Sequence, residues 1–310
     1  GGTLMLLRVD TSVMFPGLER NVRPFLWYFA ACSATYVVSH IIARKMKPWR
    51  PKSDVVADAD LIFSLPMYSW MSILACMGTA EGWEAGWKEH WFGSEGYSRH
   101  FVLLYAAMNL VHVPITLLKA QSTTYKCLMT FHHILSIGCM MTGLLMDRMY
   151  FWGAFDGICE ISTFVLTTLF CLKEFGGSGP TNQLLVTING VGVWLTYLIF
   201  RIFLFPTWLY CYFMEVHQYK AQTFESISAF ERYMYPAVNV FLFVLSSHWM
   251  MQITAGMVKQ LRKASKAKAE TAKNGTSGIN GTKSTDAVNS DHNTKANINI
   301  KANINIKKAQ

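Results

Sequence analysis

Seven long apolar segments constrain the fold of this chain more than any other feature of its sequence. A transmembrane helix needs about 20 mostly apolar residues to cross the hydrocarbon core of a bilayer. The predicted spans cover residues 25–43, 61–79, 101–119, 128–146, 150–172, 184–205 and 234–257. We therefore expect an all-α fold, a multi-pass transmembrane helical bundle with about seven spans in a range of six to eight.

The composition also points to a membrane protein. Of the 310 residues, 52% are hydrophobic and only 15% are charged, whereas a soluble domain carries about 25% charged residues. The net charge of +9 is concentrated after the first apolar run and in the C-terminal tail. This clustering is typical of a signal for membrane orientation, and we expect no nucleic-acid partner.

The basic clusters predict which side of the membrane each loop occupies. Arg44 and Lys45 follow the first run, and Lys259 and Arg262 follow the last. Because loops on the cytoplasmic side carry an excess of Lys and Arg, we expect both clusters in the cytosol and the N-terminus in the lumen. From about residue 260 the sequence becomes polar and repetitive, which predicts a disordered cytosolic tail. Its terminal Lys307-Lys308 pair resembles a retrieval signal of the endoplasmic reticulum, which predicts that location.

Polar residues in the fifth run form the first candidate site. Asp156, Glu160, Thr163 and Thr167 are spaced i, i+4, i+7 and i+11, which places them on one face of a helix. A polar stripe on a membrane helix must face protein or water. The stripe either holds helices together or lines an internal cavity.

Arg201, in the sixth run, is the predicted partner of this stripe. An arginine at mid-depth in a membrane costs about 2.5–3.5 kcal/mol, which calls for a specific contact. We expect Arg201 to pair with Glu160 or Asp156 inside the bundle, with Tyr197 one turn earlier on the same face.

Histidines near one end of the fourth run form the second candidate site. His132 and His133 are adjacent and therefore point about 100° apart on a helix, so we do not expect both to bind one metal ion. Either one could act as a nucleophile or general base, and the alternative is a structural hydrogen bond. His112 shares a helix face with Asn109 and Thr116, which favours a hydrogen bond in the core.

Three segments resemble the TLC-domain membrane proteins, a family that includes the ceramide synthases. They are Phe131-His132-His133, Glu160-Ile161-Ser162-Thr163, and the stretch from Ile188-Asn189-Gly190 to Arg201 and Pro206. The resemblance implies a TLC domain over about residues 58–258, preceded by a segment 1–57 with the first transmembrane helix and a basic cytosolic loop, and followed by the tail 259–310. We predict four catalytic residues, His132, His133, Asp156 and Glu160. We predict a lipid-binding cavity lined by His112, Asn109, Ser162, Thr163, Asn189, Tyr197 and Arg201, with no metal.

What the resemblance implies for function depends on one position. In ceramide synthases the paired histidines serve acyl transfer from acyl-CoA to a sphingoid base, and a His-Asp pair follows in the next span. This chain has Phe155-Asp156 there, which favours a branch without synthase activity. The implied function is membrane lipid homeostasis, with membrane lipids as partners. The alternative is an acyltransferase that uses acyl-CoA as co-substrate, drawn to Lys119 and Lys126; no other cofactor is expected, and the oligomeric state stays open.

Overall fold

The computed structural model describes residues 15–51, 53–119 and 121–277, and all regular secondary structure in these ranges is helical. A 3-10 turn, Lys47–Trp49, follows the first α-helix, and a π-helical turn, Leu198–Phe203, joins the eighth to the ninth. The α-helices are α1 (Leu18–Met46), α2 (Val55–Ala85), α3 (Trp87–Phe92), α4 (Gly96–Leu118), α5 (Thr123–Met146), α6 (Tyr150–Gly157), α7 (Glu160–Phe175), α8 (Pro180–Tyr197), α9 (Leu204–Gln218) and α10 (Ala229–Ser277).

Seven segments built from these helices are long and apolar enough to cross a membrane, which confirms the predicted all-α multi-pass bundle. Each segment extends past the predicted run at one or both ends, because a helix continues into polar residues once it is formed. The segments are Leu18–Trp49, Val55–Ala85, Trp87–Leu118, Thr123–Met146, Tyr150–Phe175, Pro180–Gln218 and Ala229–Arg262.

Local signals fix where the helices begin and end. The side chain of Asp54 accepts a hydrogen bond from the backbone N–H of Val56 (2.9 Å) and caps the start of α2. The hydroxyl of Ser122 accepts from the N–H of Tyr125 (3.3 Å) at the start of α5. Such caps satisfy backbone donors that have no partner within the helix. At its other end α5 stops at Asp147, whose φ of +52° lies in the left-handed region.

Ion pairs connect the helices at both ends of the bundle. At the end that holds the loops after α1, α4 and α7, which we call the basic end, Arg50 contacts both Asp58 (3.0 Å) and Glu174. The opposite end holds α3 with Trp87 and Trp91, and we call it the tryptophan end. The Arg20 side chain there contacts Asp147 at 2.7 Å. Other contacts at the tryptophan end join Arg148 to Glu231 (2.5 Å) and Trp91 to Glu215 (2.6 Å).

Helix α4 lies at the centre of the bundle, packed against α1, α2, α5 and α6. Its apolar residues, from Phe101 to Met108, are buried. The contact with α6 is very close, since a Cβ atom added at Gly157 would lie 2.0 Å from Cζ of Phe101. A residue without a side chain is therefore needed there.

The described chain forms two units, the bundle up to Met250 and the part of α10 that begins at Met251. Helix α10 continues to Ser277, so the first part of the predicted disordered tail is helical. Alanine, lysine and arginine dominate this stretch, and they are strong helix formers. The rest of the predicted tail, residues 278–310 with Lys307 and Lys308, lies outside the described residues.

Candidate functional site

A break in the fifth membrane segment shapes the candidate site. Helix α6 ends at Gly157 and α7 begins at Glu160. Between them the N–H of Cys159 donates to the carbonyl of Asp156 (3.2 Å), a tight i to i+3 contact. The predicted stripe from Asp156 to Thr167 is therefore not carried by one continuous helix. Asp156 instead accepts a hydrogen bond from Nδ2 of Asn239 in α10 (3.1 Å).

Arg201 lies in the π-helical turn and is buried, with 7% of its surface exposed. Turns of this kind are rare and occur often at functional sites. The guanidinium donates from Nε to the hydroxyl of Ser162 (2.8 Å) and from Nη2 to the hydroxyl of Thr163 (2.7 Å). The ring of Tyr197, also buried, lies 5.1 Å from Cζ of Arg201.

The predicted direct ion pair of Arg201 with an acid is wrong. Within the described residues no carboxylate oxygen lies within 4 Å of the guanidinium. The two hydroxyls on the first turn of α7 occupy its donors instead. The carboxylates of Glu160 and Asp156 both lie beyond this distance, and Asp156 is bonded to Asn239 instead.

Several buried polar atoms around Arg201 lack hydrogen-bond partners within the described part of the chain. Glu160 is buried (5% exposed), and its Oε2 atom accepts no hydrogen bond. Oδ1 of Asn239, beside Asp156, is equally unpartnered. Nδ1 of His132, whose ring centroid lies 6.5 Å from that of Trp249 in α10, has no partner either. Buried polar atoms are almost always paired in proteins, so each exception points to a missing partner.

The two adjacent histidines lie in α5, and their rings point to different neighbours. The ring centroid of His132 lies 6.5 Å from that of Trp249, and the centroid of His133 lies 5.5 Å from that of His112. His133 is buried (4% exposed), and its Nδ1 has no partner among the described residues. The histidines are thus directed apart, as their spacing predicts.

A buried acid that the sequence did not single out, Asp60, holds His112. The distance from Nε2 of His112 to Oδ1 of Asp60 is 2.6 Å, and the other carboxylate oxygen of Asp60 contacts Lys119. The hydroxyls of Ser64 (3.3 Å) and Tyr68 (3.5 Å) also approach the His112 ring. Asp60 lies one residue before the second predicted apolar run. The position of an acid at the edge of a span is the only feature of the sequence that could have identified it as a site residue.

The remaining predicted site residues lie apart from Arg201 or are already bonded. Nδ2 of Asn109 donates to the backbone carbonyl of Tyr105 (2.9 Å), one turn earlier in α4. Asn189 lies 12 residues before Arg201, about 18 Å along a helix axis, and its buried Oδ1 has no partner in the described structure. Lys126 donates to the carbonyl of Leu117 (2.8 Å).

Phe155, where the resemblance to ceramide synthases implies a histidine, has an apolar environment. Phe155 is buried. Its ring packs against those of Trp83 (centroids 5.6 Å apart), Phe151 (5.8 Å) and Trp152 (6.5 Å). The side chain is thus part of an aromatic cluster.

The family model of the TLC domain matches residues 59–255. This chain belongs to the TLC-domain family. A comparison with curated proteins finds no match, and a comparison with solved structures finds none either. As a TLC-domain protein with seven apolar spans, it is an integral multi-pass membrane protein. The matched range includes Asp60, the histidines of α5 and Arg201.

Proposed function

We propose that this TLC-domain protein binds a membrane lipid in the polar interior around Arg201 and acts in membrane lipid homeostasis. The observation that carries this proposal is the set of unpartnered buried atoms, Oε2 of Glu160, Oδ1 of Asn239 and Nδ1 of His132. An unsatisfied buried polar group costs about 1–3 kcal/mol. A lipid headgroup with hydroxyl, amine or amide groups would supply the missing hydrogen bonds.

The position of the π-helical turn supports entry from the bilayer. Arg201 points inward, whereas Ile199 and Phe203 in the same turn are exposed apolar residues that face away from the interior. The polar interior is therefore only one helix away from the surface that would contact lipid tails. A lipid could place its headgroup beside Arg201 while its chains stay in the membrane.

Within the family, we propose a likeness to TLC domain-containing protein 4 and its relatives, on the order and spacing of the three segments that resemble this family. That likeness, together with Phe155 in its aromatic cluster, favours a role other than ceramide synthesis. We also propose an endoplasmic-reticulum location with a cytosolic C-terminal tail, and the basic clusters after the first and last spans support this orientation.

Acyl transfer is the second candidate function, and one observation favours it. Nδ1 of the buried His133 is free of hydrogen bonds to any described residue, while its neighbour His112 is held by Asp60. A free ring nitrogen can remove the proton from an acceptor amine or hydroxyl. The acceptor would then attack the thioester carbonyl of an acyl-CoA, forming the C–N or C–O bond as the C–S bond breaks and the thiolate of CoA leaves.

The lipid-binding proposal is tested by native mass spectrometry of the full chain purified from membranes. Thr163→Val removes the hydroxyl that contacts Arg201, and Thr207→Val is the matched control, because Thr207 is exposed on α9 and its hydroxyl donates to the Phe203 carbonyl one turn earlier. We expect retained lipid to fall about tenfold in Thr163→Val, because the guanidinium that would contact the headgroup loses a hydrogen bond that holds it in position. Equal retention in the two variants would contradict the proposal.

Acyl transfer is distinguished from lipid binding by incubating the purified protein with long-chain acyl-CoA and either a sphingoid base or a lysolipid, and by following acylated products with mass spectrometry. Acylated product from the parent protein, absent with His133→Ala, would establish acyl transfer. Specific lipid retention without any product supports a binding protein.

A further inference from the structure

The strongest feature outside the site is a run of basic residues on α10, directly after its apolar part. Lys259, Arg262 and Lys266 are exposed on this helix. The sequence adds Lys263, Lys268 and Lys273 in the same stretch, with Glu270 as its only acid. The first of these charges, Lys259, directly follows the apolar Val258, and Leu261 is the one large apolar residue within the basic stretch.

These basic side chains differ in their ion pairing from other basic residues near the ends of the spans. Arg50 is neutralised by Asp58 and Glu174, Lys119 by Asp60, and Arg148 by Glu231. In contrast, Lys259, Arg262 and Lys266 take part in none of the ion pairs found between described residues. Their charge is therefore available to a partner outside the chain.

The helix also fixes how these charges are spaced. Lys259, Arg262 and Lys266 are related by i, i+3 and i+7, so they share one face of α10. At 1.5 Å per residue, Lys266 lies about 12 Å beyond Val258 along the helix axis. The Debye length is about 8 Å at physiological ionic strength. Lys259 and Arg262, about 2 and 6 Å beyond Val258 along the axis, lie within one Debye length of the end of the apolar part, and Lys266 lies within about two.

We propose that this basic face of α10 binds anionic phospholipid headgroups of the membrane that the protein spans. A cluster of four or more Lys and Arg residues next to a transmembrane helix is attracted to acidic lipids. The favoured partner is a lipid surface because the charges begin where the apolar part of the helix ends. The proposal does not depend on the lipid site at Arg201.

The test is hydrogen–deuterium exchange on the full chain in lipid nanodiscs, with residues 259–273 as the reporter segment. We expect amide exchange in this segment to be about tenfold slower with roughly 30% phosphatidylserine than with phosphatidylcholine alone. The protection should disappear in 1 M salt, where the Debye length is about 3 Å.

A charge-matched pair of variants makes the result specific. The triple variant Lys259→Gln, Arg262→Gln, Lys266→Gln should lose the protection, whereas Arg23→Gln, Lys88→Gln, Lys220→Gln, with exposed positions elsewhere in the chain, should keep it. Equal exchange in neutral and anionic nanodiscs, or equal loss in both triple variants, would overturn the proposal. Lipid retention measured for Thr163→Val stays independent of these changes, so the two proposals can fail separately.

Discussion

Two buried polar clusters in this apolar bundle differ in how completely they are paired. In the cluster around Asp60, both carboxylate oxygens have cationic or potentially cationic partners, His112 and Lys119. Around Arg201 the cation has no acidic partner among the described residues, and it contacts the neutral hydroxyls of Ser162 and Thr163 and the ring of Tyr197. A complete network rigidifies a structure, whereas an incomplete one costs free energy until something fills it. We infer that the Asp60 cluster stabilises the fold and that the Arg201 cluster binds a ligand.

The largest expected effect comes from breaking the complete cluster with Asp60→Asn. This change leaves the buried His112 and the partly buried Lys119 without the carboxylate that both contact, which should cost about 3 kcal/mol. Thermal unfolding of the purified protein in detergent would show a clearly lower midpoint. The control is Glu225→Gln, which breaks the exposed pair with Lys220 (3.4 Å) and should cost about 0–1 kcal/mol. Similar midpoints for the two variants would mean that Asp60 does not stabilise the fold.

The second test changes the incomplete cluster with Arg201→Met, which replaces the unbranched aliphatic part of the side chain and removes the charged guanidinium. Stability should change by no more than about 1 kcal/mol, because the lost hydrogen bonds are offset by removing a buried charge from the membrane. Lipid retention should nevertheless fall by about tenfold or more, or about 1.4 kcal/mol. The expected pattern is therefore opposite to that of Asp60→Asn. A large loss of stability with unchanged lipid retention would assign Arg201 a structural role instead.

The sequence predicted the spans well because each one is encoded locally by a run of apolar residues. It also predicted that Arg201 is buried, since an arginine facing lipid would be costly. It failed on the contact partner, because the break between α6 and α7 brings Ser162 and Thr163 to the guanidinium in place of the acids. That break depends on packing between helices and leaves no local pattern.

Asp60 was missed for a related reason. It precedes its apolar run, and its partner His112 is 52 residues away in the chain. Only the packing of α2 against α4 brings the two together. His112 was correctly predicted to form a hydrogen bond in the core, but its own sequence neighbours do not identify the partner.

The smallest expected effect is that of Ser162→Ala, which removes one of the two hydroxyls on Arg201 and keeps the other. Ser162 is fully buried, and its hydroxyl both accepts from Arg201 (2.8 Å) and donates to the carbonyl of Cys159 (2.7 Å). The loss should be about 1 kcal/mol, and we expect it in lipid retention more than in the unfolding midpoint. Ser247→Ala is the matched control, since that hydroxyl donates only to the Phe243 carbonyl one turn earlier in α10. If Ser162→Ala instead lowered the midpoint as strongly as Asp60→Asn, the hydroxyls would belong with the stabilising cluster, and the distinction between the two clusters would fail.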